Sequence, residues 1–316
     1  MQTVMRDEAT PSQIAGFMVA LRMKGETAEE IAGMALTMRA LATPVDVDDR
    51  ESLLDVVGTG GDGAATFNIS TLSAVVAAAC GLRVAKHGNR AASSRCGSAD
   101  VLEALGVRID LTPAAVAACI REVGIGFLFA PLFHPSFRFA AVPRRELGIR
   151  TVFNILGPLC NPAGAGRLAL GVLEVPLARR MAEVLERLGI RHALVFCGAG
   201  LDELATAGPS LVIEVGDGGR SEYELDPAEL GLVPAGPADL RGGDPAENAR
   251  IARELLQGGI GPKRDILLLN AAAALRAGGL TGDWREGLGL AAEAIDRGEA
   301  GTVLERWAWQ SAALAP

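Results

Sequence analysis

The sequence predicts an α/β protein: a small all-helical N-terminal domain, then a mostly parallel central sheet flanked by helices. Three observations predict it. Residues 10–41 carry apolar side chains at helical spacing with no strand among them. From Leu53 the rhythm changes to short apolar strand, glycine-rich loop and helix, an alternation that builds βαβ units and a sheet covered on both faces. The chain is 316 residues long, room for two domains at about 150 residues each.

The elements follow in order. Thr10, Pro11 and Gln13 form a capping-box start with proline in the first turn, and Ile14, Phe17, Met18 and Leu21 follow at i, i+3, i+4 and i+7. Thr27 and Glu30 repeat the box, with Ile31, Met34, Ala35 and Met38 as the stripe. The polar linker 43–50 breaks the pattern. A strand over Leu53–Val57 runs into the loop Gly58–Gly63, and a helix over Leu72–Cys80 is closed by Gly81. Arg83–His87 reads as the next strand and Ser98–Leu105 as a helix ended by Gly106. Phe127–Ala130 and His192–Cys197 are further strands, and late helices begin at the capping box Asp244–Glu247 and near Lys263. The Gly-, Pro- and Asp-rich stretch 217–243 is expected to be a surface excursion.

Composition narrows the function. Aromatics are 4% of residues while glycines number 39, a balance that favours backbone-lined pockets over base-stacking platforms. With 30 basic against 38 acidic residues the net charge is −8, which opposes a broad nucleic-acid surface while allowing a local basic pocket. The N-terminus lacks the charged and apolar regions of a secretory signal, and no apolar run approaches the roughly 18 residues of a membrane span. Five scattered cysteines without a CxxC pair suggest reduced thiols and a cytoplasmic protein.

Five segments carry chemistry. Gly58-Thr-Gly-Gly-Asp-Gly63 satisfies the dinucleotide fingerprint, but the acid that fingerprint needs about 20 residues on is replaced by Arg83-Val-Ala-Lys-His87. What remains is a glycine loop able to turn N–H groups toward an anion, or a tight turn without a ligand. Thr66–Thr71 opens the next helix, as caps or as phosphate ligands. Lys86–Ser94 concentrates two cations, two hydroxyls and an amide in nine residues, an inventory suited to pyrophosphate. Asp202-Glu203 reads either as an acidic first helical turn or as a loop pair holding a hard cation such as Mg2+. Phe127–Phe139 gathers five of the nine phenylalanines beside His134, with Arg144 and Arg145 just after; this is an aromatic pocket with a carboxylate clamp, or a core strand followed by an exposed charged helix.

Taken together, GTGGDG, NIST, KHGNRxxSS, GSADVLEALG, RRELGxRTxFNxLGPLxNPA, GLDE and GPxRDxxLLNAAAAL occur in one order. The chain thereby resembles the anthranilate phosphoribosyltransferase family from about Thr10 to beyond Leu275. The resemblance implies a helical domain over 1–46, joined by helices within about 136–160, and an α/β domain over 47–316 that binds phosphoribosyl pyrophosphate (PRPP). It also implies a homodimer formed through the helical part, and no nucleic-acid or membrane partner. The implied reaction belongs to tryptophan biosynthesis and joins the amine of anthranilate to C1 of PRPP with release of pyrophosphate. Gly58, Gly61, Asp62, Thr66, Asn68, Ile69, Ser70, Thr71, Lys86, His87, Gly88, Asn89, Arg90, Ala91, Ala92, Ser93, Ser94 and Ser98 then fall at PRPP positions. Gly58, Asn89, His134 and Arg144 fall at anthranilate positions, and Ser70, Asp202 and Glu203 at those of Mg2+.

The chain departs from the family pattern in three places. Cys197-Gly-Ala-Gly200 stands where the family usually has His-Gly-x-Asp-Gly, and His134-Pro-Ser-Phe-Arg138 where it has His-Pro-Ala-Met-Lys. The chain also starts about one helix later than family members usually do. The alternative readings are transfer onto another aromatic amine, a pyrimidine nucleoside phosphorylase, or a non-catalytic nucleic-acid-binding relative.

Overall fold

A computed structural model describes residues 1–91, 95–216 and 218–315. In chain order its helices are α1 (Gln2–Met5), α2 (Pro11–Lys24), α3 (Ala28–Ala40), α4 (Ile69–Ala79), α5 (Ser98–Ala104), α6 (Pro113–Val123), α7 (Ala130–Phe133), α8 (Ala141–Leu147), α9 (Val175–Arg187), α10 (Pro245–Leu256), α11 (Pro262–Ala277), α12 (Trp284–Asp296) and α13 (Glu299–Ala313). The strands are β1 (Leu54–Gly58), β2 (Val84–Gly88), β3 (Ile125–Phe129), β4 (Arg167–Gly171), β5 (His192–Gly198), β6 (Ser210–Gly216) and β7 (Gly219–Leu225).

The expected capping boxes form. Thr10 accepts from the Gln13 N–H while the Gln13 side chain accepts from the Thr10 N–H, and Thr27 and Glu30 do the same for α3, satisfying donors that a helix start otherwise leaves open.

One seven-stranded sheet runs in the order β3-β2-β1-β4-β5-β6-β7. Its first five strands are parallel, and β6 and β7 are antiparallel additions at one edge. Alternate residues of the central strands enter opposite cores: Leu168, Leu170, Ala193 and Val195 on one face, Ala169, Leu194 and Phe196 on the other. This two-sided burial explains why these strands read as continuous apolar runs. The first face is shared with the N-terminal helices through α9. Ile14, Met18, Ile31, Met34 and Met38 lie in one cluster with Met181, Val184 and Leu185. The helical part is thus continuous with the sheet packing.

The 217–243 expectation needs correction. Residues Gly219–Leu225 are strand β7, paired with β6 from Ser210↔Leu225 to Gly216↔Gly219. The strand is a charged edge, with only Leu225 fully buried, and edges protected by charge lack the alternation that announces a strand.

Candidate active site

The site is assembled where β1, β2, β4 and β5 end, the usual place for a ligand on a parallel sheet. Gly58 and Gly171 close β1 and β4 and are direct partners across the ladder. A Cβ at Gly58 would overlap the Asp202 carboxylate, and one at Gly171 the Asp202 carbonyl. The pair therefore forms a notch into which the loop after β5 settles, bringing Asp202 and Glu203 over the strand ends. Residues 199–209 contain no helix, so the reading of Asp202-Glu203 as an acidic helical turn is excluded.

Each carboxylate is tied to a segment expected to hold phosphate. The Gly60 N–H donates to Asp202 Oδ2 at 2.6 Å. The Ser70 N–H, at the start of α4, donates to Glu203 Oε1 at 3.1 Å, and the Ser70 hydroxyl donates to the same oxygen. Desolvation dominates both groups. Burial pushes Asp202 up to about 6, against the Gly60 hydrogen bond and with the charge of Asp62. Burial and the Asp202 charge push Glu203 up to about 8. Two adjacent carboxylates raised in this way, beside a hydroxyl, form a hard-oxygen set short of positive charge. That chemistry fits Mg2+, which typically takes only one or two carboxylates and completes its shell with water and phosphate oxygens. Among the described residues no group of three or more His, Cys, Asp or Glu is placed to hold a metal ion by itself.

Beneath this layer lies a buried polar network that the sequence reading only half identified. Lys86 is buried and its ammonium donates to the Val56 carbonyl at 2.7 Å. Burial lowers its pKa, and the charges of Asp55 and Glu203 hold it up. Asp55 accepts from the His87 N–H at 3.0 Å and from Asn161 Nδ2 at 2.8 Å. Desolvation pushes Asp55 up to about 6, opposed first by Lys86. The sole signal for Asp55 was an acid inside an apolar strand. Asn161, within the NPA motif, carried none by itself.

The remaining PRPP candidates divide. Asn68 sits at the start of α4 without capping it; its side chain instead donates to the Cys96 carbonyl at 3.2 Å and accepts from Asn248 at 2.9 Å. Thr66 bridges Arg241, and Ile69 and Thr71 are buried. Asp62 accepts from the Ala64 N–H at 3.1 Å. Gly88 lies against the Ser98 hydroxyl and the Phe127 ring, and Ser98 donates to the Asn89 carbonyl at 3.1 Å. Arg90 is not presented to the glycine loop. Its guanidinium pairs with Asp100 and Glu103 of α5, beside the Phe129 ring, and Asp100 also accepts from the Ala91 N–H. Ala92, Ser93 and Ser94 lie outside the described residues.

On the acceptor side, the His134 and His87 rings pack with centroids 5.1 Å apart and planes tilted by 56°. Each is buried with Nε2 lacking a partner. Burial pushes His87 down to about 3 and His134 down to about 4, so both rings are neutral at pH 7. The Arg144 guanidinium stacks on the Phe137 ring at 4.9 Å and makes no ion pair among the described residues. Desolvation lowers its pKa. Phe137, part of the altered 134–139 segment, thus supports the arginine, and α8 is not simply an exposed charged helix.

Family models locate this architecture. A glycosyl transferase family α/β domain matches residues 50–301, and the helical bundle domain of the same family matches residues 1–42. The chain is 58% identical to anthranilate phosphoribosyltransferase 2 of Streptomyces coelicolor, over 99% of this chain and 95% of that one. The chain belongs to the anthranilate phosphoribosyltransferase family. Among solved family members, the Thermus thermophilus enzyme superposes with a TM-score of 0.94 at 51% identity, covering 98% of this chain and 93% of that one. The Saccharomyces cerevisiae enzyme in complex with PRPP and Mg superposes at 0.88 and 32%, covering 96% and 86%. In complex with 4-fluoroanthranilate it superposes at 0.87 and 30%, with the same coverage. No helix among the described residues is long and apolar enough to cross a membrane.

Proposed function

We propose that the chain transfers the phosphoribosyl group of PRPP to the amine of anthranilate, giving N-(5-phosphoribosyl)anthranilate and pyrophosphate in tryptophan biosynthesis. The observation that carries this reading is the placement of Asp202 and Glu203 over the glycine notch, tied to Gly60 and to Ser70 at the start of α4. Asp202, Glu203 and Ser70 would hold Mg2+. When bound, the ion supplies positive charge against that developing on the departing pyrophosphate.

The chain's own residues account for the rest. The loop 58–63 and the N-terminus of α4 offer backbone N–H groups and a positive helix end to phosphate oxygens. Gly58 and Asn89 flank the acceptor, Arg144 takes its carboxylate, and the neutral His134 ring lines its pocket. A guanidinium already stacked and desolvated binds a carboxylate with less loss of water and of rotamer freedom. The anthranilate nitrogen forms a bond to C1 as the C1–O bond to pyrophosphate breaks, and the new ammonium then loses its proton. An aromatic amine is neutral near pH 7, so orientation matters more than a general base, and none is assigned.

The same reading makes the protein a cytoplasmic homodimer. The cysteines form no disulfide among the described residues, in agreement with a reducing compartment, and the exposed Phe17, Met23 and Leu36 on α2 and α3 supply apolar surface for a partner helix pair. The deciding experiment follows anthranilate fluorescence with PRPP and Mg2+ present, each omitted in turn. Consumption is expected only when both are present. Folded protein that binds PRPP and leaves anthranilate untouched would point to another aromatic amine.

A further inference from the structure

Between α8 and the buried pair Val152 and Phe153, one side chain reaches from the helical side of the molecule to the glycine loop. Arg150 Nη1 donates to the Gly60 carbonyl at 2.9 Å and to the Gly61 carbonyl at 3.3 Å. The fit is close, since a Cβ at Gly61 would occupy the place of that nitrogen. Gly60 and Gly61 both have positive φ, 69° and 79°, a conformation that glycine adopts without steric cost. Gly60 is therefore fixed from two directions: its N–H by Asp202 and its carbonyl by Arg150. The charge of Arg150 also acts on Asp202, lowering its pKa against the effect of burial.

A glycine loop costs more conformational entropy to order than any other. Two bonds from a cation fix the Gly60 and Gly61 carbonyls and narrow the range of conformations that two glycines would otherwise sample. The root of Arg150 is itself fixed: Val152 and Phe153 are buried, and Phe153 packs on Phe137, the ring under Arg144. The segment 144–153 thus reaches the acceptor pocket at one end and the donor loop at the other.

We propose that Arg150 is a positioning residue for the phosphoribosyl donor, setting the Gly60-Gly61 backbone so that the loop receives the charged end of PRPP. The assignment rests on the donor named above. A residue acting through the loop moves donor affinity and leaves acceptor affinity alone, and that separation is the test.

PRPP binding is measured by calorimetry with Mg2+ and no acceptor, on wild type, Arg150→Ala and Arg150→Lys. The KM values for PRPP and anthranilate are then determined separately. Arg150→Ala is expected to weaken PRPP binding and raise its KM by about tenfold or more, the loss of one charge-assisted pair of bonds. Its anthranilate KM at saturating donor should stay within about twofold. Arg150→Lys keeps one cationic donor and should recover part of the loss even if the alanine variant folds poorly. Unchanged PRPP affinity in both variants, or a rise confined to the anthranilate KM, overturns the proposal. Wild-type protein that binds PRPP but does not consume anthranilate refutes the acceptor, leaving the Arg150 comparison readable. Wild-type protein that binds no PRPP removes both.

Discussion

The Ser70 hydroxyl and the Ser70 backbone N–H both donate to a single oxygen, Glu203 Oε1. One residue at the head of α4 thus fixes a carboxylate contributed 133 positions later in the chain, joining the β1–α4 loop to the β5–β6 loop.

Replacing Glu203 by Gln keeps the shape and the Ser70 contact but removes the charge that would attract Mg2+. Turnover should fall by about a hundredfold or more, since electrostatic stabilisation of this kind is commonly worth several kcal/mol. Thermal unfolding should change little. Steady-state assays across a Mg2+ series decide it: near wild-type activity with an unshifted Mg2+ dependence in the double variant Asp202→Asn, Glu203→Gln would sink the metal assignment.

Gly171→Ala places a Cβ against the Asp202 carbonyl. Relief requires the 199–203 loop to rise from the notch, at an overpacking cost of about 1–3 kcal/mol. We expect activity to be lost while circular dichroism shows an intact sheet. Gly164→Ala, at a position with positive φ where a Cβ meets only the Arg50 side chain at 3.6 Å, serves as the control for general backbone strain, and its activity should persist.

Arg144→Lys exchanges a planar fork for a point charge and loses the stack on Phe137. The expected result is a rise in anthranilate KM of about tenfold with the PRPP KM unchanged, a loss of 1–2 kcal/mol in carboxylate binding. Progress curves at fixed saturating PRPP measure it.

The two packed histidines give a pH prediction with a defined sign. Both fall from 6.5 in the unfolded chain, His87 to about 3 and His134 to about 4. The unfolded state therefore takes up their protons first, and their contribution to stability is complete above pH 6.5 and lost as pH falls. The raised carboxylates Asp202 and Glu203 act in the opposite direction, so the informative quantity is a difference. His134→Gln should gain stability relative to wild type as pH drops from 6.5 to 4. Urea unfolding across that interval would show a constant difference if the ring were instead exposed and freely titrating.

Much of this was legible in the sequence because it lies in short-range pattern. Thr10 with Gln13 and Thr27 with Glu30 act within single turns, and β1, β2 and β5 are apolar because both sheet faces are covered. Glycine loops are legible for a similar reason, since positive φ and close approach leave residue-type signatures. Other features were hidden because they depend on registry between distant segments. Nothing near Gly171 indicates that it would face Gly58 across a ladder, or that Asp202 would descend between them. Arg150 lies within a motif, but its partners are two carbonyl oxygens, which have no residue type to read. β7 was missed for the opposite reason, as its charges protect an edge and resemble a loop.

Arg90 carries a last consequence. Its guanidinium already holds two carboxylates of α5, so any phosphate that recruits it trades one anionic partner for another. Such an exchange changes the net pairing of charge less than the neutralisation of a bare cation does, and it is the net pairing that salt screens. Donor binding should then depend on ionic strength more weakly than a count of the basic residues in Lys86–Arg90 suggests. The affinity of this surface would be governed by competition between internal and external anions, a quantity that mutation of Glu103 alone could tune.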